Sequence, residues 1–252
     1  MKHSAFAHRL RNGEPLIGTL VSLRSTEVVE ILANCGFDWL FIDAEHGAFD
    51  PHDTQGMLQA AGQCPCVIRV PCSDEVWIKK ALDIGAAGII VPQINTIEQA
   101  QAVIHAAKYA PKGKRGVGLA RAHGYGPNFE NYLANANQDT AIILQAETRQ
   151  AVENIDAIVA LEGVDAILIG PYDLSASLGV IGQVGSDIVK QAIKTVADAS
   201  FAKGVKMGIF GISPEAVIPY QKQGFSLITV GVDALFLGGT ASDTLQQLKS
   251  NN

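Results

Sequence analysis

Eight short apolar runs, most of them rich in β-branched residues, recur along the chain and restrict its fold more sharply than any other feature. They are LIGTLV (16–21), LFID (40–43), VIRV (67–70), GIIV (88–91), IILQ (142–145), ILIG (167–170), MGIF (207–210) and LITV (227–230). Strands that read as continuous apolar runs are buried on both faces, as a parallel sheet covered by helices requires. Between them lie segments of helical period, among them STEVVEILANCG, SDEVWIKKALDIG, TIEQAQAVIHAAKYA and SDIVKQAIKTVADASFAKG, and ASDTLQQLKS closes the chain. Several open on Ser, Thr or Asp and close on Gly, residues that satisfy the orphan amides and carbonyls of helix ends. Eight strand–helix alternations in 252 residues predict an α/β fold, a (β/α)8 barrel, with residues 1–252 forming one domain. The structural rival, a doubly wound open sheet, would carry Gly-x-Gly-x-x-Gly after its first strand, and GTLVSLRS supplies none. Two spacers are long, 110–140 and 171–205, and excursions of this kind often carry substrate contacts.

Composition narrows the partners. A net charge of −6, with 19 Lys and Arg scattered along the chain, argues against a nucleic-acid groove, which needs clustered cations. No apolar run approaches the roughly 20 residues that span a bilayer, and MKHSAFAHRLRNGEP lacks the apolar stretch of a secretory signal, so a cytoplasmic location is expected. Cys35, Cys64, Cys66 and Cys72 are expected to be reduced, packed thiols, and CPC at 64–66 lacks the ligand spacing of a zinc site. Small molecules are the expected partners.

In a barrel, chemistry gathers at the C-terminal ends of the strands. There the second run ends in Asp43 and leads to Glu45 and His46, the third carries Arg69, the fifth ends in Gln145 with Glu147 beyond it, and the sixth runs into GPYD with Asp173. Each has a plainer use. Asp43 could cap a turn and His46 could be a structural hydrogen bonder. Glu147 and Asp173 could complement helix dipoles or clasp a divalent cation. Arg69 is the hardest to explain as structure alone, because a guanidinium at the end of an apolar strand is costly unless it meets an anion; a structural carboxylate partner would serve.

DWLFIDAEHG, IRVP, GIIVPQINT, RGVG, LQAETRQAVENID and GVDAILIGPYDLSASLG together resemble the motifs of the HpcH/HpaI family of metal-dependent, class II pyruvate aldolases, and the likeness extends into GIFGISPEA and GFSLITVGVDALFL. The resemblance implies that Glu147 and Asp173 ligate a divalent metal, Mg²⁺ or Mn²⁺ with Co²⁺ as a substitute, on which a pyruvate unit is chelated. It implies that Arg69 faces the keto oxygen, and that His46, oriented by Asp43, is the general base for the 4-hydroxyl of a 4-hydroxy-2-oxo acid. Gln145 would support the metal, the backbone around Gly170, Pro171 and Tyr172 would receive the substrate carboxylate, and Asp83 would reach a neighbouring subunit's site. Glu45 is left as a supporting or structural acid.

The implied activity is reversible cleavage of a 4-hydroxy-2-oxo or 2-keto-3-deoxy acid to pyruvate and an aldehyde, by a homohexamer built as a trimer of dimers that exchange the last helix. Relatives also suggest a carbon–carbon lyase or condensing enzyme acting on oxaloacetate or citryl-type substrates, though nothing here reads as a coenzyme A clamp. A third reading is a non-catalytic small-acid binder, which would have no use for five converging polar groups.

The chain departs from the pattern in places. GTLVSLRS lacks a tryptophan common near the first strand and has Thr19 and Arg24 there; Tyr172 replaces a small residue. GLARAHGYG brings Arg121, His123 and Tyr125 toward the expected distal end of the substrate, which suggests an anionic or sugar-acid tail. His123 reads more simply as part of a solvated loop or a subunit contact.

Overall fold

The computed structural model describes residues 2–250. Eight parallel strands close into a barrel in sequence order: β1 (Leu16–Val21), β2 (Trp39–Asp43), β3 (Cys66–Arg69), β4 (Gly88–Val91), β5 (Ala141–Ala146), β6 (Ala166–Ile169), β7 (Lys206–Gly211) and β8 (Leu227–Val232). β8 pairs with β1, Leu227 against Leu16, and the register shifts between Gly18 and Leu20. Each apolar run of the sequence becomes a strand within two residues of its expected bounds. The fold is the (β/α)8 barrel expected.

The helices are α1 (Lys2–Arg11), α2 (Thr26–Asn34), α3 (Pro51–Ala60), α4 (Glu75–Asp83), α5 (Ile97–Ala107), α6 (Phe129–Asp139), α7 (Arg149–Glu153), α8 (Ile155–Val159), α9 (Pro171–Ser177), α10 (Asp187–Ala202), α11 (Pro214–Gln221) and α12 (Asp233–Ser250). Ser25, Asp74 and Thr148 cap α2, α4 and α7 with their side chains, and Asp50 and Thr96 form reciprocal capping boxes at α3 and α5. Thus the polar residue before each of these apolar segments ends in the hydrogen bond that explains it.

Two apolar layers result from strand alternation. Val21, Leu40, Ile42, Ile68, Ile89, Val91, Ile142, Leu144, Ile167, Ile169 and Ile209 point outward and pack beneath the helices. Leu16, Leu20, Trp39, Phe41, Val67, Ile90, Ala141, Ile143, Ala166, Leu168 and Leu227 fill the interior, where Phe6, Ala7 and Leu10 of α1 join them and plug the floor of the barrel. Phe6 lies 5.8 Å from the Trp39 ring, which stacks in turn at 6.0 Å on Phe41. Gly18 is required beside it, since a Cβ there would come within 2.6 Å of the indole.

The interior becomes polar only toward the C-terminal ends. Inward positions continue from Phe41 to Asp43 on β2, from Val67 to Arg69 on β3, and from Ile143 to Gln145 on β5, and Asp43 and Arg69 are register partners. All four cysteines are free; burial pushes the Cys64 thiol up to about 11 and Cys66 higher still. No helix among the described residues is long and apolar enough to cross a membrane.

Candidate active site

Strand ends bring a guanidinium and four carboxylates together. Arg69, 8% exposed, donates from Nε to Asp43 Oδ1 at 2.9 Å and from Nη2 to Asp43 Oδ2 at 2.7 Å, while Nη1 lies 3.1 Å from Glu45 Oε2. Burial opposes its charge, but the bonds to Asp43 and the nearness of Glu45 and Glu147 outweigh it and hold the guanidinium protonated. The ring of Phe41 lies 5.3 Å beneath it. Arg69 therefore has the carboxylate partners that its position demands.

This arrangement corrects one expectation. Asp43 does not hold the His46 imidazole: both its oxygens are taken by Arg69, and it reaches His46 only through the backbone amide, at 3.3 Å. The bidentate fork of an Arg competes better for a buried carboxylate than a solvated ring does. The carboxylate beside the imidazole is Glu45, with Oε2 3.9 Å from Nε2, and the imidazole projects into the open with 68% of its side chain exposed. Burial raises the Glu45 carboxyl above its ordinary range, against the pull of Arg69.

Glu147 lies just beyond β5, 3% exposed. Its Oε1 accepts from the Gln93 amide at 2.7 Å, and its Oε2 accepts from Gln145 Nε2. Gln93 adopts φ +54°, a left-handed backbone rare outside glycine, which is the kind of local strain found where a site over-determines a residue. Burial, aided by the charges of Asp173 and Glu45, pushes the Glu147 carboxyl up to about 7. Gly170 makes the packing possible: a Cβ there would come within 2.8 Å of both Gln145 Nε2 and Glu147 Oε2. Asp173, exposed in the first turn of α9, faces this pair across the rim.

A cavity of about 240 Å³ sits over these groups, lined by His46, Arg69, Gln145, Gly170, Pro171, Tyr172 and Asp173 and walled by Leu20, Phe41 and Phe210. Four carboxylates, Asp43, Glu45, Glu147 and Asp173, share one guanidinium. A divalent cation suits such an excess of hard oxygen donors, and buried Gln145 Oε1, without a protein partner among the described residues, leaves a further acceptor beside them. Another cluster, Asp50, His52 and Asp53, has ligand-like spacing, but Asp50 and Asp53 are the capping box of α3 and Asp53 also pairs with Arg24 at 2.9 Å.

Several expected residues lie elsewhere. Arg121 donates to the Ile84 carbonyl at 2.7 Å and the Leu58 carbonyl at 3.4 Å, closing the C-terminal ends of α4 and α3 instead of lining the cavity. Asp83 is bound by Arg115 Nη2 at 2.6 Å, and that guanidinium is stacked on Tyr109 and Tyr132. Thr19 is buried against the Gly231 carbonyl. His123 is buried inside its own loop, not solvated as its plainer reading expected, with Nε2 2.7 Å from the Ala120 amide nitrogen and 2.8 Å from the Gly118 carbonyl oxygen. Sequence reasoning missed Gln93, whose only signal is its place just after β4, and undervalued Glu45.

Comparison with known proteins agrees with this architecture. Residues 16–237 match the family described as HpcH/HpaI aldolase/citrate lyase. The chain is 38% identical over 253 residues to a hydroxypyruvate/pyruvate aldolase of Deinococcus radiodurans, covering 99% of this chain and 91% of that protein. It is 36% identical over 250 residues to a 4-hydroxy-2-oxovalerate aldolase of Novosphingobium aromaticivorans, covering 97% and 94%. Among solved structures, a HpcH/HpaI aldolase/citrate lyase family protein from Burkholderia cenocepacia superposes with a TM-score of 0.94 at 35% identity, covering 98% of this chain and 99% of that one.

Proposed function

The chain belongs to the HpcH/HpaI aldolase/citrate lyase family, and from that premise we propose that it cleaves a 4-hydroxy-2-oxo acid reversibly to pyruvate and an aldehyde with the help of a divalent metal ion. The observation that carries this is the convergence of His46, Arg69, Gln145 and Asp173 on one cavity, with Glu147 bonded directly behind Gln145.

Glu147 and Asp173 would hold the metal, Mg²⁺ or Mn²⁺ with Co²⁺ able to substitute, and the bound cation would supply Lewis-acid polarisation of the 2-oxo group. Arg69 presents a fixed cation to the same oxygen. As the C3–C4 bond breaks, its electron pair passes into the pyruvate enolate, and negative charge grows on that oxygen, which Arg69 would face from the cavity wall. A preorganised charge favours that state over the ground state and so accelerates the reaction. His46 takes the proton of the 4-hydroxyl as the aldehyde carbonyl forms, and returns it in the condensation direction. Asp43 acts on Arg69, fixing its plane by two parallel hydrogen bonds; Glu45 is the acid beside the base. The first amides of α9, at Tyr172 and Asp173, are free to receive the substrate carboxylate, whereas Pro171 has no N–H to give.

We also propose assembly into a homohexamer, a trimer of dimers that exchange α12. Leu235, Phe236, Leu237, Leu245 and Leu248 of that helix are exposed, and α12 with α2 walls an apolar groove of about 670 Å³. Exposed apolar side chains gathered on one helix are what such an interface would cover.

The test is pyruvate release from a panel of 4-hydroxy-2-oxo acids by protein stripped with chelator and resupplied with Mg²⁺, Mn²⁺ or Co²⁺. Metal-restored release is expected. Full activity in chelator would overturn the class II reading, and turnover of oxaloacetate alone would move the assignment to the citryl-type alternative.

A further inference from the structure

The reaction cavity shares a wall with a second cavity. Pro171, Tyr172 and Phe210 line both; beyond them Val184, Ile209, Ile212, Ala216 and Tyr220 line a further, partly open space of about 200 Å³ between β7, α9 and α11. The two compartments differ in chemistry. The first carries Arg69, Asp173, His46 and Gln145, and no charged residue lines the second.

We infer that Tyr172 and Phe210 partition the substrate, with the 2-oxo acid half in the first compartment and an uncharged, apolar aldehyde tail, branched aliphatic or aromatic, in the second. The inference rests on the aldolase reading and deepens it. Tyr172 immediately precedes Asp173, so the dividing wall stands one residue from a carboxylate assigned to the metal. Burying a carboxylate or a string of hydroxyls among uncharged side chains would leave them without partners, at a cost that disfavours such tails. The cations that could have met an anionic tail are engaged elsewhere: Arg121 on helix carbonyls, Arg115 on Asp83 and Arg24 on Asp53.

The test compares kcat/KM for pyruvate release by the metal-loaded enzyme on three 4-hydroxy-2-oxo acids, with isobutyl, terminal carboxylate and polyhydroxylated tails. The isobutyl substrate is expected to lead by about tenfold or more, the discrimination that burial of a few apolar carbons provides. Ala216→Trp, at an exposed position of α11, fills the second compartment and should cut that lead about tenfold. Tyr172→Ala joins the compartments and should shift preference toward longer apolar tails. A faster carboxylate or polyhydroxylated substrate, or a lead unmoved by both substitutions, overturns the partition while leaving the aldolase intact. Release from none of the three overturns both.

Discussion

The Arg69 guanidinium is held through three nitrogens by two carboxylates, which fixes its charge and its plane together. A lysine keeps the charge but cannot reproduce the fork. Arg69→Lys is therefore expected to lower kcat by about two orders of magnitude or more, with metal affinity, measured by titration calorimetry, little changed; an unchanged kcat would make Arg69 purely structural. His46→Ala should slow cleavage by about two to four orders of magnitude, as loss of a general base does. Glu147 gives a prediction of opposite sign for stability and function. Its carboxyl titrates near 7 in the metal-free fold, against about 4.3 in an unfolded chain. Between those values the folded state binds more protons, so the contribution of this group is full below about 4.3 and is lost as pH rises through 7. Glu147→Gln is expected to raise the metal-free thermal midpoint above pH 7 by about 4 °C, while abolishing metal-dependent turnover; a lower midpoint would show that the charged carboxylate stabilises the fold.

At the scale of elements, the strands were legible because their signal is local: a run such as GIIV is apolar on both faces whatever surrounds it, and the caps before α2, α4 and α5 lie next to the segments they start. The rim was legible for a related reason, since barrel geometry sends the end of every strand to one face. Partnerships across the chain were not. Asp43 lies three residues from His46 and twenty-six from Arg69, yet bonds the Arg69 side chain; Arg121 finds the carbonyl of Leu58, sixty-three residues away. Nothing in a linear pattern ranks such competitors, because the choice is made by which groups are desolvated together. The floor of the barrel shows the same dependence. The hydrophobic value of α1 lies in Phe6, Ala7 and Leu10, which meet the interior layer only after the strands have closed. Phe6→Ala is expected to cost about 3–5 kcal/mol in denaturant unfolding, without moving KM, because the floor is at the opposite end from the rim.

For the whole molecule, α12 is the element that leaves the most apolar side chains exposed. Only Asp233 of that helix is buried, bound to the Ser22 and Leu23 amides, while its leucines face outward. If the proposed hexamer forms through α12, truncation after residue 233 is expected to leave monomers in sedimentation velocity; a hexamer persisting in the truncated chain would show that other surfaces hold it. The pairing of β8 with β1 has a different consequence, for the birth of the chain. Leu16 waits for Leu227, so a ribosome must deliver more than two hundred further residues before the last hydrogen-bonded seam can be sewn. Until then both margins of the growing sheet are open templates for other chains. Such a protein is at its most vulnerable before β8 emerges, and chaperone dependence should track the translation time of the last two barrel strands more closely than the stability of the finished barrel.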